Sequence, residues 1–359
     1  MAGGRAAHAA SAAAGRRLAG AARLRQRLAA EAVRRRLRER ARGRLPDPAA
    51  DLPRGDGEGR SALCGRELRR AAARRADHRR GGHPQQRERW LGPILRGEAI
   101  WCQGFSEPDA GSDLASLRTK AVRDGDAYVV TGQKIWTSHA EVADWCELLV
   151  RTDPGAPRHR GITWLAMPMD APGVTVRPLR TLAGSAEFAE VFFDEVRVPA
   201  ANRVGEENDG WRVTMVTLSF ERGTAFAGEV VACRRTLTEV AEHARANGCW
   251  DDPVLRRRLG RLHAEFTALW RLVQWNVSEA AATGGVPGTG GSVFKLRYSH
   301  ARQELYDAAA EVLGAGALDL SLPWTRERLS SLSYTIAAGT SQIQRNILAE
   351  RVLGLPKGR

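Results

Sequence analysis

The sequence predicts an α+β multidomain chain in which a central β-barrel domain precedes a C-terminal four-helix bundle. Three observations carry this reading. Residues 101–206 hold short runs of strand-forming residues cut by Gly, Pro and Asp turns. From about Gly210 the apolar residues recur with a helical period. The first eighty residues share the composition of neither part.

That first segment is made of 22 Arg, 22 Ala and 9 Gly, with no Lys, Phe, Trp, Tyr or Ile. Its 22 Arg stand against 8 acids and so carry the whole +14 of the 359-residue chain, while residues 81–359 hold 33 basic and 33 acidic side chains. A basic excess of this size first suggests nucleic acid or an anionic membrane surface. Its confinement to one low-aromatic segment removes that implication from the rest of the chain, and no nucleic-acid partner is expected. With almost no β-branched and no bulky aromatic residues, residues 1–80 cannot bury enough area to offset their backbone entropy. Leu24, Leu28 and Val33 hint at a short Arg-coated helix over 21–42, which Pro46, Pro48 and Pro53 end. Three readings compete: a disordered basic arm, a transit peptide, and coding sequence read out of frame. The third explains both the enrichment in residues of GC-rich codons and the abrupt change at Gly81.

Residues 81–100 contain one short amphipathic helix, Gln85–Leu95. The strand-like runs that follow are Ala127–Thr131, Glu147–Arg151, Ile162–Met167, Val174–Val176 and Glu190–Val198, which suit a compact barrel or sandwich of about a hundred residues. In residues 207–359 the clearest helix carries Leu255, Leu259, Leu262, Phe266, Leu269, Val273 and Val277, a single apolar stripe. Helices of similar character are expected over 211–247, 292–314 and 325–353. The loop Thr283–Gly291 is glycine-rich but follows a helix and lacks a P-loop Lys, and Leu313–Ala317 also follows a helix, so neither reads as a nucleotide-phosphate cradle. The five cysteines are odd in number and lack C-x-x-C spacing, which suggests reduced thiols in a cytoplasmic protein. No run of 18 apolar residues is present, so no membrane span is expected.

Four segments stand out together: Cys102–Asp113 (CQGFSEPDAGSD), Gly132–Ser138 (GQKIWTS), Glu190–Pro199 (EVFFDEVRVP) and Gly339–Leu355 (GTSQIQRNILAERVLGL). In order and rough separation they resemble the acyl-CoA dehydrogenases, over residues 81–359. The resemblance implies an acyl-CoA dehydrogenase-like fold with a degraded N-terminal helical domain: residues 1–80 aberrant, 81–100 its remnant, 101–206 the β-domain and 207–359 the bundle. It also implies FAD between the β-domain and the bundle, an acyl-CoA substrate, transfer of electrons to an electron-transferring flavoprotein, and a homo- or hetero-oligomer. Gln103, Phe105, Ser106, Trp136, Thr137 and Ser138 would line the flavin, with Glu311, Gly314, Thr340 and Gln342 completing the cofactor site. Ser112, Arg222 and Gly339 would contact the thioester ligand.

The family reaction needs a carboxylate to remove the proton α to the thioester while a hydride leaves the β-carbon. Desolvation should raise that carboxylate's pKa towards neutrality. Most members carry the Glu just before Gly-Thr-Ser, where this chain has Ala338. A minority branch, like the isovaleryl-CoA enzyme, places the base on the first bundle helix, and Glu221 in Phe220-Glu221-Arg222-Gly223 matches that position. The competing explanation is a catalytically silent subunit beside an active partner. Two further departures favour a variant or heteromeric assembly: the family's Arg-x-x-Phe-Gly is absent near Arg245–Asp252, and its Gln-x-x-Gly-Gly reads Glu311-Val312-Leu313-Gly314-Ala315. A missing N-terminal wall would admit water and weaken the electrostatics of proton abstraction. The chain carrying residues 1–80 is therefore expected to be weakly active or inactive. Retention of yellow flavin and acyl-CoA-dependent dye reduction measure this, and full activity would overturn it.

Overall fold

The computed structural model describes residues 84–224, 227–282 and 290–357. The Arg/Ala-rich segment and most of the Thr283–Gly291 loop lie outside the described residues. Helix α1 (Pro84–Leu95) leads into eight strands: β1 (Trp101–Gly104), β2 (Lys120–Asp124), β3 (Ala127–Ser138), β4 (Trp145–Arg151), β5 (Ile162–Pro168), β6 (Val174–Leu179), β7 (Phe188–Pro199) and β8 (Arg203–Val204). They pair in the order β6-β7-β3-β2-β4-β5-β8, with β1 added alongside β4. β1 and β2 run parallel to β4, and the other pairings are antiparallel.

Side chains from strands near both ends of this order enter one apolar core. Val191 and Phe193 of β7 meet Tyr128 and Val130 of β3, Leu148 of β4, and Leu165 and Met167 of β5. The sheet therefore curls around that core as a barrel-like layer. On its other face Trp101, Leu149, Trp164 and Phe105 form a second cluster, against which α1 packs Trp90 and Ile94. β4 and β5 are buried on both faces, which is why they read as continuous apolar runs. Three strands are not singled out from sequence: β1 is buried but four residues long, β2 buries only Ala121, and β8 is two residues long.

The helical part comprises α2 (Gly210–Thr224), α3 (Ala227–Ala246), α4 (Pro253–Ala282), α5 (Gly290–Leu313), α6 (Pro323–Ser331) and α7 (Ser341–Arg351). α5 packs against α3, α4, α6 and α7, and its buried residues form a broad face along its whole length, leaving a narrower face that carries Val293, Arg297, Asp307 and Glu311 exposed. The α4 stripe is buried from Leu255 to Val273. Val277, expected to extend it, is instead exposed, and Asn276 is buried. The seam thus keeps alternating steps of four and three, the 3.5-residue period of packed helices.

The expected single helix over 325–353 is two helices. After α6 the chain turns through a short 3-10 segment, Leu332–Thr335. Ala338 and Gly339 then adopt left-handed backbone angles, with φ of 52° and 88°. Thr340 restarts the helix by accepting a hydrogen bond from Ile343 N through its side chain at 3.2 Å. Propensity cannot reveal this break, because alanine favours helix and only the glycine–threonine pair marks it.

A buried polar lock holds α6 on the bundle. The Arg302 guanidinium of α5 donates to Glu327 Oε2 at 2.6 Å and to Tyr298 OH at 2.8 Å, and lies 4.2 Å from the Tyr334 ring centre. Tyr298 in turn donates to Glu229 Oε2 at 2.7 Å. Removing one member of a buried ion pair leaves the other uncompensated at a cost of about 3–5 kcal/mol. Arg302→Met is expected to lower unfolding free energy by about that amount. Arg302→Met/Glu327→Met should recover much of the loss, as measured by urea denaturation.

Candidate active site

Two of the motifs meet at the end of the β-domain. Glu107 and Ala110 exchange backbone hydrogen bonds of 3.0 Å in each direction, closing a turn around Pro108 and Asp109. The carboxylate of Glu107 accepts from Arg118 N at 2.6 Å, Thr119 N at 2.9 Å and Lys134 Nζ at 2.8 Å. Lys134 also donates to Phe105 O at 3.0 Å, and the backbone N–H of Ile135 donates to Ser106 O at 2.9 Å. The loop carrying Phe105 and Ser106 is thereby stitched to the β3 segment carrying Trp136, Thr137 and Ser138. Gly104, just before the loop, lets β1 lie close on β4: a Cβ there would be 2.7 Å from Cys146 Sγ.

The pair is buried, with Lys134 at 1% exposure. Burial pushes Glu107 up, but the Lys134 charge and the three donors outweigh it and hold the carboxyl below its ordinary value. Burial lowers the Lys134 amine, and the attraction of Glu107 offsets only part of this. Neither residue stood out from motif matching. Strand alternation contains the missing signal, because Lys134 shares the inward phase of Tyr128 and Val130. A lysine at such a position requires an acid, and Glu107 lies in the adjoining motif.

At the tip of β3 the pairing with β7 shifts register between Lys134 and Thr137. Trp136 has φ of 60° and its side chain is 58% exposed, edge-on to Phe188 at 6.1 Å. Thr137 is fully buried and its Oγ1 has no hydrogen-bond partner, while Ser138 is half-buried opposite Phe188. An outward indole plate beside an unpaired hydroxyl fits a flat, hydrogen-bonding ring such as flavin. Gln103 is half-buried opposite Glu147, and Ser112 is exposed at the end of the loop.

The remaining expected residues belong to the bundle. Glu221 and Arg222 lie in the last turn of α2, where the structure describes the helical backbone. The opposite end of α2 is set on β5: a Cβ on Gly210 would lie 2.6 Å from Trp164 N. Trp211, Val213 and Leu218 pack against the cluster that contains Phe105, so Glu221 follows that contact by one helical turn. Gly339 is close to Gln344, whose Nε2 donates to Ala338 O and Gly339 O at 3.4 Å each. A Cβ on Gly339 would come within 2.5 Å of that nitrogen. Thr340 is occupied as the helix cap, and Gln342 is exposed. Glu311 pairs with Arg258 at 3.1 Å, and Gly314, with φ of 55°, ends α5.

Sequence comparison gives this arrangement a family. Residues 102–196 match the acyl-CoA dehydrogenase middle domain and residues 208–353 match the C-terminal domain. The chain is 43% identical over 282 residues to the acyl-CoA dehydrogenase IpdE1 of Mycobacterium tuberculosis, covering 77% of this chain and 72% of that protein. It belongs to the acyl-CoA dehydrogenase family. Among solved structures it is similar to the Tcur3481-Tcur3483 steroid ACAD, with a TM-score of 0.74 and 27% identity over 92% of this chain and 98% of that one. The ChsE4-ChsE5 complex of Mycobacterium tuberculosis is also similar, with a TM-score of 0.67 and 30% identity over 92% and 98% of the two chains.

The depressed Glu107 pKa has a definite pH consequence. Its contribution to stability is complete above the unfolded carboxyl value and is lost as pH falls through the lower folded value. Lys134→Met should weaken this dependence, since only the Arg118 and Thr119 donors then oppose burial, and should destabilise the chain by about 3–5 kcal/mol. Lys134→Met/Glu107→Gln should be less damaging, as read from urea midpoints across an acid pH series.

Proposed function

We propose that this chain is an FAD-dependent acyl-CoA dehydrogenase that removes hydrogen across the α,β bond of an acyl-CoA thioester, with Glu221 as the α-proton base. The observation carrying the proposal is the placement of α2. With Ala338 where most relatives carry the base, Glu221 stands one turn beyond the helix contact with the Phe105 cluster. Its carboxylate takes the α proton as the α,β double bond forms.

Gln103, Phe105, Ser106, Trp136, Thr137 and Ser138 would hold the isoalloxazine side of FAD. Glu311, Gly314, Thr340 and Gln342 would contribute from the bundle. Bound FAD supplies the acceptor for the β-hydrogen and its electron pair. The chain must supply the base, orient the thioester through Ser112, Arg222 and Gly339, and exclude water. An electron-transferring flavoprotein is the proposed recipient of the electrons. The small residues Ala337, Ala338 and Gly339 suit a bulky acyl group, and the likeness to a steroid ACAD supports that substrate class.

A second reading, a subunit of a heteromeric dehydrogenase, is favoured by Glu311. It stands in place of the family's Gln, and its carboxylate is engaged by Arg258. Similarity to the ChsE4-ChsE5 complex supports the same reading.

Glu221→Gln is expected to lower turnover about a thousandfold with flavin content unchanged. The assay is acyl-CoA-dependent dye reduction. Unchanged turnover in the assembled enzyme would assign this chain the silent role.

A further inference from the structure

The proposed reaction leaves unused a carboxyl group buried in the most aromatic part of the chain. Glu147 lies in β4 and is fully buried, at 0% exposure. Strand alternation puts it on the face of Trp145 and Leu149, while Cys146 and Leu148 enter the core on the other side. β1 and β5 flank it in register, with Gln103 directly opposite on one side and Ala166 on the other. One rung away, Trp101 stacks on Trp145 at 5.6 Å between ring centres and on Trp164 at 6.4 Å. Trp90 of α1 closes over this group, 5.7 Å from both Trp101 and Trp145.

A carboxyl in such surroundings is costly unless a polar group meets it. Around Glu147 the flanking strands present Trp101, Phe105, Leu149, Trp164 and Ala166, all apolar. Gln103, half-buried, is the polar side chain that the register brings beside it. The charged groups of the neighbouring elements are engaged elsewhere. Arg89 of α1 lies over the Trp145 ring at 5.0 Å and donates to Asn202 Oδ1 at 3.0 Å. Arg151 shares this face of β4 but is drawn to the carbonyls of Ala115 and Arg160 at 2.6 and 2.8 Å. From α2, the buried hydroxyls of Thr214 and Thr217 donate to carbonyls of their own helix. The Lys134–Glu107 pair lies across the sheet, where a Cβ on Gly104 would come within 3.6 Å of Lys134 Cγ.

We propose that Glu147 is a positioning residue for the cofactor site, its carboxyl fixing the carboxamide of Gln103. The proposal rests on the reading of Gln103 as a flavin-lining residue. A free carboxamide turns about its last bond and presents a donor or an acceptor to the same point. A carboxyl offers an acceptor oxygen in either protonation state, so the amide nitrogen of Gln103 turns to Glu147 and its carbonyl oxygen turns away. That choice decides which edge of the carboxamide is left for a heterocyclic ring. The stacked indoles hold Glu147 in place, and a rigid second group behind a ligand-facing one is what pre-organises a site. β1 is thereby held from both faces of the sheet, by Lys134 on one and Glu147 on the other.

FAD binding by the full chain, followed by the change in flavin fluorescence, tests this without turnover. Gln103→Leu is expected to weaken binding about tenfold. Glu147→Leu should weaken it by a similar factor. Gln103→Leu/Glu147→Leu should cost about tenfold in all and not about a hundredfold, because the two residues act as one unit. Glu147→Gln keeps an acceptor oxygen and should stay within about threefold of the unaltered chain, a rescue that loss of packing would not show. Circular dichroism verifies folding, and Glu147→Asp, one methylene shorter, replaces the leucine variant if that variant does not fold. Unchanged FAD affinity in the folded leucine or aspartate variant, or a fully multiplied loss in the double variant, overturns the proposal and leaves Gln103 beside the flavin. Absence of FAD binding in the unaltered chain, or unchanged affinity in Gln103→Leu, rejects the flavin placement itself, and the proposal falls with it.

Discussion

The β-domain end of the candidate site depends on one buried ion pair. Glu107 lies in the first motif loop and Lys134 in β3, and their contact is the charged anchor between two segments that backbone hydrogen bonds also join. Burying both charges is costly, and the structure meets the cost by giving the carboxylate two backbone donors and the ammonium a backbone carbonyl. The Ile135–Ser106 hydrogen bond and the outward turn of Trp136 follow from that anchor. The residues expected to face a flavin are thus positioned by two neighbours that do not face it.

The bundle uses the same strategy on the opposite side. Arg302, Glu327, Glu229 and Tyr298 secure α6 to the central helix. Lys295 Nζ and Ser299 Oγ both donate to the carbonyl of Tyr334, just beyond α6. These contacts determine where the chain leaves α6 and begins the turn to Gly339 and Thr340. Polar groups, which make a central helix expensive to bury, specify the placement of the segment that apolar packing alone would leave free to slide.

Periodicity in the sequence discloses the elements that use periodicity for packing. The α4 seam is readable because its apolar steps maintain the bundle repeat, and β4 and β5 are readable because both faces are buried. Even there the pattern misleads by one residue, since Asn276 replaces Val277 at the buried position. Pattern alone fails where a contact joins distant positions. Arg302 looks like a solvent-facing helix residue until Glu327, 25 residues later, is brought beside it. Lys134 is the intermediate case: its inward phase is legible, but the identity of its partner follows from the fold. The residues proposed to line a flavin stand out only through family resemblance, because their local sequence resembles an ordinary loop.

At Ala338 the local fold is held by neighbours and not by the side chain that stands there. Left-handed geometry in alanine is unfavourable by roughly 1–2 kcal/mol, so residue 338 does not select its own conformation. Gly339 permits the reversal, Thr340 caps the next helix, and Gln344 donates to both preceding carbonyls. Three neighbours therefore determine the backbone at 338 regardless of the side chain. In the proposed reaction, this separates the scaffold from the chemistry. A carboxylate can move to Glu221 on α2 while the Gly339–Thr340 turn continues to shape the ligand side of the bundle. The neutral charge of residues 81–359 belongs to the same logic: the described part of the chain works through a few charges held in place, Glu107 on Lys134 and Arg302 on Glu327.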